Sequence, residues 1–183
     1  MSKAPKYERI IAYTLVAIFR PLNMHWATAV YVYFLRRWEA KLTGRPAYIS
    51  GNVDVDGTDF GLITLGEGVT VSSYVRILTH DWSPYTVGKA MGVYTPSTMG
   101  RFLPVTIGDY SFIETGSIVM PGACIGRGCI VGAGTVVRGS LPDFSIVVGS
   151  PGQIVGDTRG YMKKQFPEHT ETILRSRNIE SNV

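Results

Sequence analysis

Cysteine, histidine and charge are all scarce in this chain, and each scarcity removes a class of function. There are two cysteines, Cys124 and Cys129, and they do not form a CxxC pair. That excludes a disulfide framework and offers no zinc-binding spacing, so two small residues in a reducing compartment are expected. Only three histidines occur, His25, His80 and His169, far apart along the chain. Charged residues make up 17% against 45% hydrophobic, a globular rather than a disordered balance, and 183 residues allow one folded unit with short appendages. The net charge of +4 is spread out, with no RNP, helix-turn-helix or zinc-finger pattern. Nucleic acid is therefore excluded as a partner, while an anionic cofactor or a membrane surface fits the sign.

Long hydrophobic runs are missing too. "IIAYTLVAIF" (10–19) stops at Arg20-Pro21, and "MHWATAVYVYFL" (24–35) stops at Arg36-Arg37. Both fall short of the roughly 20 residues that span a bilayer. Lys3, Lys6 and Arg9 precede the first run as in a signal peptide, but no small-x-small cleavage site follows. A cytoplasmic location is expected, with a fork for residues 1–42. They either cap or pack against the rest of the fold, or make peripheral contact with the inner face of the membrane. Proline predicts a break at Pro21 between helices over 6–19 and 23–42, and Thr43-Gly44-Arg45-Pro46 predicts the second stop.

What the chain does have is a repeat. From Ile107 it reads in sixes: "IGDYSF", "IETGSI", "VMPGAC", "IGRGCI", "VGAGTV", "VRGSLP". Ile107, Ile113, Val119, Ile125, Val131 and Val137 hold a strict period, and the fifth positions Ser111, Ser117, Ala123, Cys129 and Thr135 are small. Leu65, Val71 and Ile77 keep the same period upstream, and a degraded version begins near Ile49 and Val53. Such a period outranks local propensity. One inward aliphatic and one small corner residue describe a short strand and a tight turn. Three of these units bring the chain round to stack on itself. The expected columns are 65/107/125, 71/113/131 and 77/119/137, with an irregular loop over 83–106 leaving one corner.

On these sextets, and on "IGRGCIVGAGTVVRGSLPDFSIVVGSPGQIVG" (125–156), the chain resembles the hexapeptide-repeat acyltransferases. It is similar to the maltose, galactoside and serine O-acetyltransferase group and its polysaccharide-modifying branch. The resemblance implies an all-β solenoid, a left-handed parallel β-helix, over 47–156, with N-terminal helices in 1–46 and a short C-terminal helix and tail in 157–183. It also implies a homotrimer and acetyl-CoA as co-substrate, with no metal. A γ-class carbonic anhydrase shares the β-helix but needs three imidazoles on zinc, and only His80 lies in the repeats.

His80 is fourth in "ILTHDW" (77–82), at the base of the inserted loop, where the register stacks it under Gly122 and Ser140. Long loops without obvious structure are usually functional, and this one carries Trp82, Tyr85, Tyr94 and Arg101. Imidazole can take the proton of an acceptor hydroxyl as its oxygen attacks a thioester carbonyl. The resemblance assigns His80 that role, by direct transfer without a covalent intermediate. It matches Thr115, Ala133 and Arg138 to cofactor-contacting positions. Gly132 and Gly134 supply close backbone approach, and Gln153 stands where the family carries a basic residue, so phosphate contact there would be weaker or come from Arg159 or Lys163. Asp81 and Trp82 beside the histidine, Tyr74 in place of a sugar-binding asparagine, and Phe112 and Glu114 in "FIE" in place of "WIG" are the candidates for binding a carbohydrate acceptor. These departures argue against maltose or galactoside. The function expected is O-acetylation of a sugar hydroxyl in a cell-surface polysaccharide or its precursor. The alternatives are N-acetylation of an amino sugar or nucleotide sugar, and a non-catalytic scaffold.

Overall fold

A computed structural model of the chain describes residues 4–56, 59–93 and 100–172. From Lys41 the backbone winds in coils of three short strands, so that three parallel sheets form the faces of a prism. The first face stacks Lys41–Leu42, Ile63–Leu65, Val105–Ile107, Cys124–Ile125 and Ser140–Leu141. The second stacks Tyr48–Ile49, Thr70–Val71, Phe112–Ile113, Ile130–Val131 and Ser145–Val148. The third stacks Asp54–Val55, Arg76–Ile77, Ile118–Val119 and Val136–Val137. The strand Gln153–Asp157 turns back antiparallel on Ser145–Val148 and closes the array.

The columns are those the period predicts. Leu65 pairs with Ile107 and Ile107 with Ile125; Val71, Ile113 and Val131 align, as do Ile77, Val119 and Val137. All nine side chains are at most 2% exposed, and each contributes on the order of 2 kcal/mol by leaving water. The small fifth residues have a second use. Ser111 Oγ donates to Gly126 O at 2.8 Å and accepts from Cys129 N at 3.1 Å, while Ser117 Oγ donates to Gly132 O at 3.0 Å. A hydroxyl at a buried corner thus ties one coil to the next and leaves no polar group unpaired.

The corner between the first and second faces has its own rule. Gly68, Tyr110, Gly128 and Phe144 stack there with φ of 64°, 56°, 63° and 61°. Glycine and aromatic alternate because each ring lies over the glycine of the preceding coil. A Cβ on Gly68 would sit 2.4 Å from the Tyr110 ring, and one on Gly128 2.8 Å from Phe144. A side chain there is excluded by space as well as by φ.

Two helices, α1 (Lys6–Leu22) and α2 (Met24–Arg37), precede the coils. The break falls after Pro21 rather than before it. Proline removes one helical N–H near the end of α1, and Asn23 N–H still reaches Phe19 O at 2.8 Å. Asn23 then caps α2 by accepting from His25 N at 2.8 Å. Helix α2 ends at Arg37, not at 42, because Glu39 adopts φ 70° and Ala40 N–H closes on Leu35 O at 2.9 Å. That left-handed stop is a Schellman arrangement without glycine. It frees Lys41–Leu42 to pair with Thr64–Leu65, so the coils start ahead of residue 47.

Helix α2 covers the open first coil. Thr28 Oγ1 accepts from Ile49 N at 3.3 Å, and Tyr31 Oη donates to Val53 O at 3.2 Å, which satisfies backbone groups that no earlier coil could reach. Glu8 of α1 fastens the hairpin, accepting from Arg37 at 2.7 and 3.0 Å and from Trp38 Nε1 at 3.1 Å. At the other end, α4 (Thr158–Gln165) is capped by Asp157, and a single 3₁₀ turn follows over Pro167–His169. The expected tail beyond residue 172 lies outside the described residues. Among those described, no helix is long and apolar enough to cross a membrane.

The inserted segment is more ordered than the sequence suggests. It holds helix α3 (Ser83–Ala90), and its return limb supplies the strands Arg101–Phe102 and Val105–Ile107. Pro84 in the first turn of α3 starts that helix, since its missing N–H costs nothing there. Tyr94 lies outside the described residues.

Candidate functional site

The chain leaves the prism at the corner between the third and first faces, immediately after Thr79. His80 and Asp81 pair antiparallel with Phe102 and Arg101, so the outgoing and returning limbs form a two-stranded ribbon. Leu103 N–H closes it on Thr79 O at 2.9 Å. The expected stacking of His80 beneath Gly122 is not found. Leu103 fills that place, 3.2 Å from where a Cβ on Gly122 would be, and Ser140 pairs with Cys124 on the first face. Leaving the coil one residue early carries the imidazole outside the stack, where it is half-buried.

Three groups hold it there. Trp82 packs 5.9 Å from the His80 ring and Phe102 6.3 Å, with Trp82 and Phe102 edge to face at 5.5 Å. Gly100 lets Trp82 take this position, since a Cβ at residue 100 would come within 2.5 Å of the indole. The third group is Asp56, whose side chain is 3% exposed. Its Oδ2 accepts from Thr79 N at 2.9 Å, Thr79 Oγ1 at 3.0 Å and His80 N at 3.1 Å, and it contacts His80 Nδ1. An ionised carboxylate only accepts. Nδ1 therefore carries the hydrogen in the neutral ring, and Nε2 carries the ring's basic lone pair. A carboxylate, an imidazole oriented by it and an aromatic rim form an arrangement suited to general-base chemistry.

Asp56 has no place among the sequence-derived candidates. It sits in the first coil, where the period is degraded, and meets His80 only because Asp54–Val55 stacks under Arg76–Ile77. The available signal was an acid in "VDVDG" one coil before the histidine. Asp81, in contrast, is turned toward α3. Its Oδ1 accepts from Ser83 N at 2.9 Å, a bond that holds its carboxyl below the usual range, with Arg101 and Arg138 adding to the effect.

The remaining candidates gather at a different corner, between the second and third faces. Tyr74, Gly116 and Gly134 occupy equivalent places in successive coils, with φ of 61°, 70° and 68°. A Cβ on either glycine would meet nothing within 4 Å, so beyond Tyr74 the wall of this corner is low. Thr115 Oγ1 donates to Ser73 O at 2.8 Å, Gly134 N–H to Thr115 O at 2.9 Å and Gly132 N–H to Val147 O at 2.8 Å. Ala133 N–H donates to Glu114 Oε2 at 3.0 Å. For Ala133 to contact a cofactor through this N–H, as its matched position implies, Glu114 must move aside. Phe112 projects from the second face next to Glu114, partly exposed, and Gln153 lies exposed on the closing strand.

Arg138 is not with this group. It lies at the corner of His80, close enough to influence Asp81. Arg159 is engaged by Asp157 at 2.7 Å and lies over the Phe144 ring at 4.4 Å, so of the two phosphate contacts considered, exposed Lys163 is the more accessible. Within this chain, then, the third face separates two groups of candidate residues. His80, Asp81, Trp82 and Arg138 stand along one of its edges; Tyr74, Glu114, Thr115 and Gly132–Gly134 stand along the other.

The family model described as bacterial transferase hexapeptide (six repeats) matches residues 104–139. The chain is 48% identical over 77 residues to the probable acetyltransferase Rv3034c of Mycobacterium tuberculosis, covering 42% of this chain and 26% of that protein. It is 30% identical over 115 residues to the putative lipopolysaccharide biosynthesis O-acetyl transferase WbbJ of Escherichia coli, covering 59% of each. The chain thus spans less than two thirds of the length of these relatives. A solved galactoside acetyltransferase in complex with coenzyme A superposes with a TM-score of 0.58 over 86% of this chain and 84% of that one, at 16% identity. That likeness is one of fold. With the repeat match and the parallel sheets, it fits a left-handed β-helix.

Proposed function

We propose that this chain, a member of the hexapeptide-repeat transferases, moves an acetyl group from acetyl-CoA to a hydroxyl of a carbohydrate destined for the cell surface. The observation that carries this reading is the Asp56–His80 pair at the base of the inserted segment, where a buried carboxylate orients an accessible imidazole. The chemistry follows from that orientation. The acceptor O–H gives its proton to His80 Nε2 as its oxygen attacks the thioester carbonyl, and Asp56 stabilises the imidazolium that forms. Collapse of the tetrahedral intermediate breaks the C–S bond, and the departing sulfur takes the proton from His80. The products are the acetyl ester and coenzyme A, with no acyl group placed on the protein.

The low-walled corner at Thr115, Gly132, Ala133 and Gly134 is the place for the slender arm of the donor. The open positions beside Gly116 and Gly134 support it. Because the third face stands between this corner and His80, a complete site needs two copies. The second corner of one subunit meets the histidine corner of its neighbour, and a homotrimer closes that arrangement threefold. Phe102 and Trp82 give the acceptor an apolar wall against which the face of a sugar ring can lie.

Acetyl-CoA labelled in its acetyl group, incubated with a panel of polysaccharides and their precursors, tests the reading. Label that enters a carbohydrate and is released by mild alkali supports it. Label that resists alkali marks an amide and an amino-sugar acceptor, and no transfer to any hydroxyl-bearing acceptor would defeat the assignment.

A further inference from the structure

One large apolar surface of the molecule has no use in acyl transfer. On α1, Tyr7, Ile11, Thr14, Ile18 and Leu22 recur at intervals of four, three, four and four, so they share one face, with Ile10 beside them. That face points away from the core. Tyr7 is 63% exposed, Ile10 67%, Ile11 47%, Ile18 52% and Leu22 68%, whereas Ala12 and Val16 on the opposite side are at most 2% exposed. The stripe continues onto the start of α2 with Met24 at 52% and Trp26 at 57%. No charged side chain interrupts it.

The surrounding charge is of one sign. Residues 1–38 contain six basic residues and one acid, and that acid, Glu8, is bonded to Arg37. Lys6 lies one turn from Ile10 at the margin of the apolar stripe, while Arg9 and Arg20 lie on the flank nearer the coils, where Arg20 donates to Asn52 Oδ1 at 2.8 Å. An aliphatic face with an aromatic end, on a hairpin of net positive charge, is the pattern that sinks a helix into an anionic lipid headgroup layer. Packing the same face against a second copy would bring two hairpins of like net charge together, with Glu8, the one acid on these helices, already bonded to Arg37.

We propose that the outer face of α1, extended by Met24 and Trp26, docks on an anionic phospholipid surface. The hairpin covers the first coil, and Asp56 of that coil holds His80, so docking also keeps the candidate base close to the lipid. That consequence rests on the acyl-transfer reading; the docking itself does not.

Flotation of the full chain with vesicles of phosphatidylcholine containing phosphatidylglycerol reads binding without reference to turnover. The chain is expected to float with these vesicles, less with phosphatidylcholine alone, and less again as salt rises. The triple variant Ile10→Ser, Ile18→Ser, Leu22→Ser changes only exposed positions and is expected to fold, with an unchanged melting temperature, and to stay in the aqueous fraction. Lys6→Gln with Arg9→Gln is expected to weaken partitioning on the order of tenfold. A wild-type chain that ignores both kinds of vesicle would overturn the proposal, as would a triple variant that floats as well as the wild type. Loss of a larger assembly in the triple variant, seen by light scattering without wild-type flotation, would assign the face to a second copy instead.

Discussion

Replacing Asp56 by asparagine separates its two uses. Its Oδ2 takes two backbone N–H groups, the Thr79 hydroxyl and His80 Nδ1 in a position almost closed to solvent. The asparagine side chain has the same shape and keeps an acceptor for the backbone, so the fold survives. What it loses is the negative charge that faces the imidazolium. Hydrogen bonds to charged groups contribute about 1.5–3 kcal/mol, against about 1 kcal/mol for neutral ones. The difference, on the order of 1–2 kcal/mol, lowers kcat about 5- to 30-fold. Coenzyme A release, followed by its free thiol with saturating acceptor, gives kcat, and varying acetyl-CoA gives KM, which is expected to stay within about twofold of the wild type. Asp56→Ala goes further. It leaves Thr79 N–H and His80 N–H without an acceptor, at about 1–3 kcal/mol each, and lowers the melting temperature as well as kcat. An Asp56→Asn protein with undiminished kcat would refute the orientation of His80 by this carboxylate, whatever the alanine variant did to stability.

Other consequences are as direct. Gly68→Ala forces a Cβ to within 2.4 Å of the Tyr110 ring at φ 64°, so a loss on the order of 2–4 kcal/mol is expected in denaturant unfolding. The Glu8 carboxyl is held below its ordinary value, chiefly by the hydrogen bond from Arg37. The stabilisation from this pair is complete above the ordinary glutamate value and is lost as the pH falls through the lowered one. Trp38, whose indole donates to Glu8 at 3.1 Å, reports that loss as an acid-range fluorescence change that Glu8→Gln abolishes. Burial pushes the Cys129 thiol up, whereas Cys124 is exposed. A thiol reagent should therefore titrate one cysteine in the native chain and the second only on unfolding; two fast thiols would contradict the packing of that corner.

The coils were legible because each sextet repeats one physical requirement, an aliphatic side chain pointing into a column. The period survives the inserted segment because Ile77 and Ile107 stay in register with the coils around them, Val119 pairing with the first and Ile125 with the second. His80 stood out by its place at the end of such a run. Its partner did not, since Asp56 belongs to a coil with too little periodicity to index and their meeting depends on stacking rather than on spacing in the chain. The stop of α2 at Glu39 was hidden for a related reason. A left-handed glutamate carries no composition signal, while Gly44, a few residues on, looks like the better terminator. Arg138 reads as part of "GAGTVVRG", yet the two-residue strand Val136–Val137 is enough to carry it from the glycine corner to the histidine corner. Where the strands are this short, neighbours in sequence can stand at different corners.

His80 as the base in a direct transfer is tested most directly by His80→Ala, with donor binding and turnover measured on the same protein. Removing a general base is expected to cost on the order of 100- to 10,000-fold in kcat. Acetyl-CoA binding by calorimetry should change little, because the residues assigned to hold the donor's arm, Thr115 and Gly132–Gly134, are untouched. A variant that binds acetyl-CoA and still acetylates its acceptor at the wild-type rate would contradict the account.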